Sequence, residues 1–75
     1  MDLNAYITNV PDFPKEGIQF KDITPLIGDA EAFRFAINEM AAFARAKGAE
    51  VIVGPDARGF IFGTPVAYAL NLGFV

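Results

Sequence analysis

The chain has 75 residues, of which 53% are apolar and 13% aromatic. This composition indicates a small globular domain with a thin core, and it excludes a disordered chain. The net charge of −3 excludes a general nucleic-acid binder. The sequence contains neither cysteine nor histidine, which excludes disulfides, thiolate chemistry and the commonest general base and metal ligand.

The N-terminal segment MDLNAYITNV, residues 1–10, lacks the basic start and apolar core of a secretion signal. No apolar run approaches the roughly 20 residues that span a bilayer. The lack of cysteine fits a reducing compartment. We therefore expect a cytoplasmic protein that has no membrane partner.

The first ten residues carry an apolar pattern typical of a short amphipathic helix. Its members recur at positions i, i+3, i+4 and i+7: Leu3, Tyr6, Ile7 and Val10. Pro11 is expected to end this helix. Residues 17–23, GIQFKDI, alternate in polarity and predict a short extended segment. Thr24, followed by a proline, predicts the N-cap of a helix that Gly28 stops within a turn.

A long helix is predicted next, from Ala30 to Lys47, with Asp29 as its N-cap. Gly48 suits the position just beyond the helix C-terminus, where a positive φ is common. One apolar stripe follows the helical period and is expected to face the core. Its members are Phe33, Ala36, Ile37, Met40, Phe43 and Ala44.

The last third of the chain predicts a parallel βαβ unit. Residues 50–53 contain the β-branched run 51–53, and we interpret them as a buried strand. Residues 59–70 are predicted to form a helix that contains Pro65, and residues 72–75 the start of another strand. A strand–helix–strand order implies a right-handed crossover in an α/β fold. Two parallel strands leave both sheet edges open, so we interpret the chain as incomplete, truncated at Val75. The alternative is a very small protein that a partner completes.

The segment GPDARG, residues 54–59, joins the predicted strand to the predicted helix. Ligands of open α/β sheets bind beyond the carboxyl ends of strands, and a helix N-terminus attracts anions. Gly59 permits close approach of a backbone, and Arg58 offers a forked cation for phosphate oxygens. Asp56 could orient Arg58 or neighbouring amides, or lie near a metal ion on the ligand. The pattern favours a phosphate site about as much as an ordinary turn with a surface ion pair.

A second candidate site is Phe20, which lies between the polar residues Gln19 and Lys21. An aromatic ring in such a segment can stack on a flat ring such as a purine base, while the backbone of its neighbours contacts the edge of the base. The alternative is that Phe20 fills the core, and composition alone favours that alternative.

The segments DFPKEGIQFKDITPL, residues 12–26, and VGPDARGFIFGTPVAYAL, residues 53–70, together resemble the N-terminal half of the adenine phosphoribosyltransferases. The resemblance runs from about Asp2 to Val75. It implies part of a type I phosphoribosyltransferase fold, a parallel sheet flanked by helices. Residues 1–25 would then be an N-terminal hood segment, and residues 26–75 the first part of the core.

The resemblance also implies a reaction and a set of site residues. Such enzymes join adenine to 5-phosphoribosyl pyrophosphate, release pyrophosphate and make AMP in purine salvage. Mg²⁺ accompanies the pyrophosphate, no side chain of this segment being a direct metal ligand, and the family typically forms homodimers. Adenine would be held at Gln19, Phe20 and Lys21. Pyrophosphate would be held at Asp56, Ala57, Arg58 and Gly59, with Arg58 as the catalytic residue that stabilises the leaving group.

Two positions depart from the family pattern: Lys21 stands where arginine is usual, and Pro55 precedes the acidic residue of the loop. The segments that the family uses to grip the ribose 5-phosphate lie outside the 75 residues, so we expect this chain alone to be inactive. Two alternatives remain open. One is a regulatory domain of the same fold that senses 5-phosphoribosyl pyrophosphate without turning it over, and the other is a transferase for another purine base.

Overall fold

A computed structural model describes all residues from Met1 to Val75. The chain divides into two compact units, Met1–Phe35 and Ala36–Val75, and each is described by itself. The division into a hood segment, 1–25, and a core segment, 26–75, is a statement about roles in a longer chain and stays a prediction.

The first unit begins with a 3-10 helix and a two-stranded antiparallel ribbon. The 3-10 helix covers Leu3–Tyr6, and Asp2 caps it by accepting a hydrogen bond from the Asn4 amide at 3.0 Å. Strand β1, Thr8–Pro11, pairs with β2, Gln19–Asp22, so that Val10 lies opposite Phe20.

The prediction of a helix that continues through Val10 is therefore wrong. Thr8, Asn9 and Val10 pair with β2 instead, and this pairing outweighs the helical spacing of the apolar residues. The predicted extended segment is confirmed over Gln19–Asp22.

Helix α1, Thr24–Gly28, is one turn long, as the sequence predicts, and has a proline in its first turn. The N-cap is Ile23, so the assignment of Thr24 as the cap is wrong. The side chain of Asp22 caps the helix instead, because its Oδ1 accepts hydrogen bonds from the Thr24 amide at 3.0 Å and from the Thr24 hydroxyl at 2.9 Å. A carboxylate suits this position because the helix dipole is positive there.

Helix α2 covers Ala30–Ala46, one residue shorter than predicted. The cap prediction is confirmed, since Asp29 Oδ1 accepts from the Ala32 amide at 2.9 Å. Gly48 has a φ of +72°, and the Ala49 amide donates to the Ala44 carbonyl at 3.0 Å. This is the Schellman arrangement, which explains why a glycine follows the helix.

The buried face of α2 differs from the predicted stripe. Its buried residues are Ala32, Ala36, Ile37 and Ala41. Met40 and Phe43 are instead exposed, Phe43 with 66% of its surface open to solvent. The helical period and the buried positions Ala36 and Ile37 are confirmed, whereas the predicted burial of Met40 and Phe43 is wrong.

The second unit contains the predicted strand–helix–strand order. Strand β3 is Val51–Ile52, helix α3 is Arg58–Leu70 and strand β4 is Gly73–Phe74. Strands β3 and β4 are parallel, with Val51 opposite Gly73. The parallel pairing is confirmed, whereas the buried character of the first strand is wrong, because Val51 is 46% and Val53 is 70% exposed.

Helix α3 packs on β4 through a glycine. The ring of Phe74 lies against Gly63, where a Cβ would collide with it. Phe60 meets the same ring edge-on, with centroids 5.7 Å apart. Asn71, with a φ of +60°, ends the helix. None of the helices in either unit combines the length and the apolar character needed to traverse a bilayer.

Candidate functional site

The first candidate segment is strand β2, which carries Phe20 between two exposed polar residues, Gln19 and Lys21. Phe20 is half-buried, and its ring meets that of Phe13 in an edge contact, with centroids 5.2 Å apart and planes at 68°. Part of the Phe20 ring is therefore open to solvent, and its role as a binding residue stays a prediction.

The backbone of Gln19 and Lys21 faces away from β1. In an antiparallel pair, successive residues direct their N–H and C=O groups to opposite sides of the strand. The Ile18 carbonyl accepts from the Phe13 amide at 3.0 Å, so Ile18 and, by alternation, Phe20 direct these groups towards β1. Gln19 lies opposite Pro11, which has no N–H to donate, in agreement with this alternation.

The result is a strand edge on which an aromatic side chain is flanked by two outward-facing peptide groups. A purine base offers a flat face and a polar edge, and this edge of β2 offers a ring and both donors and acceptors within three consecutive residues. The opposite face of the ribbon is polar, where the Asn9 side-chain amide donates to Gln19 Oε1 at 2.9 Å.

The loop between β1 and β2 holds Phe13 in place by hydrogen bonds. Asp12 has a φ of +54°, and its Oδ1 accepts from the Gly17 amide at 3.0 Å. The Ile18 amide donates to the Lys15 carbonyl at 3.2 Å. The contact of Phe13 with Phe20 was not predicted from the sequence. The one sequence feature that could have indicated it is an aromatic residue within a turn that contains proline and glycine.

The second candidate segment is the loop 54–59, where two glycine backbones touch. A Cβ on Gly54 would lie 2.6 Å from the Gly59 carbonyl oxygen. A Cβ on Gly59 would lie 2.5 Å from Pro55 Cδ and 2.7 Å from the Gly54 carbonyl carbon. The lack of a side chain at both positions thus allows the two backbones to come into contact, which is a structural role in the turn.

The loop delivers exposed charges and amides to the start of α3. Asp56 and Arg58 are both exposed, and the peptide bond between Asp56 and Ala57 is cis. Ala57 is the N-cap of α3 and has no side chain that could cap it. The Phe60 amide donates to the Ala57 carbonyl at 3.1 Å, and no side chain caps the helix. The positive end of the helix dipole lies at this turn and favours anions.

The structure thus brings together the members of each predicted group. Gln19, Phe20 and Lys21 form one strand edge of the first unit, and residues 56–59 form one turn of the second. No group of three or more carboxylates, cysteines or histidines that could hold a metal ion occurs in the chain.

Known proteins that are similar to this chain share one name. The whole chain is 55% identical over 75 residues to adenine phosphoribosyltransferase of Oenococcus oeni and spans 43% of that protein. The adenine phosphoribosyltransferase of Thermoanaerobacter pseudethanolicus superposes with a TM-score of 0.91 and 48% identity, over 97% of this chain and 44% of the other. No protein-family model matches the chain.

A further solved structure carries ligands. The adenine phosphoribosyltransferase of Saccharomyces cerevisiae, complexed with an imino-altritol bisphosphate and adenine, has a TM-score of 0.90 and 34% identity, over 97% of this chain and 46% of its own.

The parallel strand–loop–helix–strand unit, superposed on these structures, defines part of an α/β phosphoribosyltransferase of the type I fold. More particularly, the relatives that match along the whole chain are adenine phosphoribosyltransferases, and the chain spans less than half the length of the curated relatives that it matches.

Proposed function

We propose that the longer protein containing this sequence is an adenine phosphoribosyltransferase, which converts adenine and 5-phosphoribosyl pyrophosphate to AMP and pyrophosphate in purine salvage. The observation that most strongly supports this proposal is the 55% identity to the Oenococcus oeni enzyme along the whole chain, which includes both candidate segments. In the reaction, a nitrogen of adenine bonds to the anomeric carbon of the ribose as the bond from that carbon to pyrophosphate breaks.

Phe20 would stack on adenine, and the outward-facing peptide groups of Gln19 and Lys21 would read the edge of the base. The half-buried ring and the alternation of the β2 backbone support this assignment. The substitution of lysine for the usual arginine at position 21 leaves a backbone contact intact, because the peptide groups do not depend on the side chain.

The loop with Asp56, Ala57, Arg58 and Gly59 would hold the pyrophosphate. Negative charge develops on this leaving group in the transition state, so a fixed guanidinium and uncapped helix amides act where the charge appears. The exposure of Arg58 and the absence of a side-chain cap on α3 support the assignment. Mg²⁺ would enter with the diphosphate and neutralise part of its charge, with Asp56 as the nearby carboxylate.

The assembly and location follow the family resemblance. We propose a cytoplasmic homodimer, and sedimentation of the complete gene product at micromolar concentration would measure its mass. A monomeric mass would contradict this part of the proposal.

The test is a nucleotide-formation assay on the complete gene product. The protein is incubated with Mg²⁺, 5-phosphoribosyl pyrophosphate and adenine, guanine, hypoxanthine or xanthine in separate reactions. AMP from adenine, with little nucleotide from the other bases, is expected. Nucleotide from another base alone would assign a different transferase, and binding of 5-phosphoribosyl pyrophosphate with no product from any base would assign a sensing domain.

The 75-residue chain itself is expected to make no AMP under the same conditions, because the segments with which the family grips the ribose 5-phosphate are outside it. Steady AMP synthesis by the purified 75-residue chain would contradict this expectation.

A further inference from the structure

Phe13 lies in the loop between β1 and β2, outside the residues assigned to substrates, and its ring contacts the ring of Phe20. We propose that Phe13 is a positioning residue for adenine binding, which holds the Phe20 ring in the plane on which the base stacks. This inference rests on the proposed function of Phe20 and adds a residue that determines affinity for the base.

Phe13 is not placed as a core residue would be. Half of its surface, 50%, is open to solvent, while Leu26 and Ala32 are the buried apolar residues of its unit. Exposing an aromatic ring forgoes the burial that stabilises most phenylalanines. The contact with Phe20 is therefore a more specific reason for a ring at position 13 than the burial of apolar surface.

Two hydrogen bonds hold the chain at Phe13 and at the residue before it. The Phe13 amide donates to the Ile18 carbonyl at 3.0 Å, and the preceding residue, Asp12, accepts from the Gly17 amide at 3.0 Å. The Phe13 ring is attached to this hydrogen-bonded turn, so it can restrict the orientation of the Phe20 ring that it contacts.

Phe20 gains orientation from this contact. Across the ribbon it lies opposite Val10, whose aliphatic side chain has no preference for one plane of a neighbouring ring. An edge contact at 68° does have such a preference, because the positive ring edge is attracted to the negative face. A base stacks well on only one ring plane, so weakening that preference lowers the fraction of protein competent to bind adenine.

The experiment compares four forms of the complete gene product: the parent, Phe13→Leu, Phe13→Tyr and Phe43→Leu. Phe13→Leu keeps an apolar side chain but removes the ring, whereas Phe13→Tyr restores the ring. Phe43→Leu is the matched control, since Phe43 is 66% exposed on α2 and lies against Lys47 rather than another ring. KM for each substrate, kcat and the calorimetric Kd for adenine are measured, and thermal unfolding checks that each variant folds.

Phe13→Leu is expected to raise KM and Kd for adenine about two- to tenfold, the range that an aromatic pair contributes. The KM for 5-phosphoribosyl pyrophosphate and kcat should stay within about twofold of the parent. Phe13→Tyr should restore adenine affinity, and Phe43→Leu should leave it unchanged. If Phe13→Leu does not fold, Phe13→Met removes the ring with a more adaptable side chain.

The proposal is overturned if both KM values rise together, if Phe43→Leu has the same effect as Phe13→Leu, or if adenine affinity does not change. A parent protein that binds adenine but makes no AMP would remove the proposed function, and the Kd comparison would still decide the role of Phe13. A parent protein that binds no adenine would overturn both.

Discussion

The two candidate segments position their groups by different physical means. The β1–β2 ribbon uses side chains: Phe13 contacts Phe20, Asp12 bonds the Gly17 amide, and Asn9 bonds Gln19. The loop 54–59 uses backbone, since two glycines touch where any Cβ would collide. Side-chain contacts of this kind contribute in small steps, whereas a backbone contact tolerates no added atom. We therefore expect graded effects of substitution in the ribbon and abrupt ones in the loop.

The largest effect is expected for Arg58→Ala in the complete gene product. Removing the cation that we propose to face the leaving pyrophosphate should lower kcat by about 10²- to 10³-fold, the range seen when one transition-state contact is lost. Arg58→Lys should recover part of the rate, because it keeps the charge but loses the forked geometry. A fall in kcat of less than about tenfold for Arg58→Ala would contradict the assignment.

The next largest effect should come from Gly59→Ala. Its Cβ would lie 2.5 Å from Pro55 Cδ and 2.7 Å from the Gly54 carbonyl carbon, so the loop must deform. We expect the free energy of unfolding, measured in urea, to fall by about 1–3 kcal/mol, together with a loss of activity. Gly28→Ala is the control, because nothing lies within 4 Å of its added Cβ, and it should be neutral or stabilising. If the two variants lower the free energy of unfolding equally, the contact between the two glycines does not limit substitution, which contradicts the abrupt effect expected in the loop.

A smaller effect is expected for Asp12→Ala. The change removes the hydrogen bond to the Gly17 amide and places alanine at a φ of +54°, so the free energy of unfolding should fall by about 1–2 kcal/mol. Asp12→Asn should behave nearly as the parent, since asparagine keeps an acceptor and tolerates this conformation. If both variants are equally destabilised, the charge of Asp12 rather than its hydrogen bond stabilises the turn.

The smallest effect should be that of Asn9→Ala. The bond from Asn9 to Gln19 is exposed to solvent, so its loss should change the free energy of unfolding by no more than about 0.5 kcal/mol and leave adenine KM unchanged. Thr8→Ala, also exposed on β1, provides a matched comparison. A cost above about 1 kcal/mol for Asn9→Ala alone would mean that the polar face of the ribbon also positions β2.

The parts of the fold that the sequence predicted well are those set by local chemistry. Helix α2 was predicted within one residue because its start depends on the Asp29 carboxylate and its end on the positive φ of Gly48. Both signals act within one turn of the chain, so neighbouring residues suffice to recognise them.

The errors arose where distant residues decide the outcome. Thr8–Pro11 forms a strand because β2 pairs with it, and the spacing of apolar residues in the first ten positions does not indicate this pairing. Val51 and Val53 have the β-branched character of buried strand residues, yet burial depends on what covers a sheet rather than on its own composition. Similarly, residues 19–21 and 56–59 were proposed as candidate sites from the family resemblance, whereas the outward-facing peptide groups and the Phe13 contact could not be predicted from the sequence.

The contact between Gly54 and Gly59 also limits how this loop can change over evolutionary time. Each glycine occupies the space that a side chain on the other would need, so no single substitution at either position is free of a collision. A lineage cannot pass through alanine at one site and then adjust the other, because the first step already opens the loop. Substitutions that the loop tolerates would therefore have to arise at the exposed positions between the two glycines, or together with insertions that lengthen the turn.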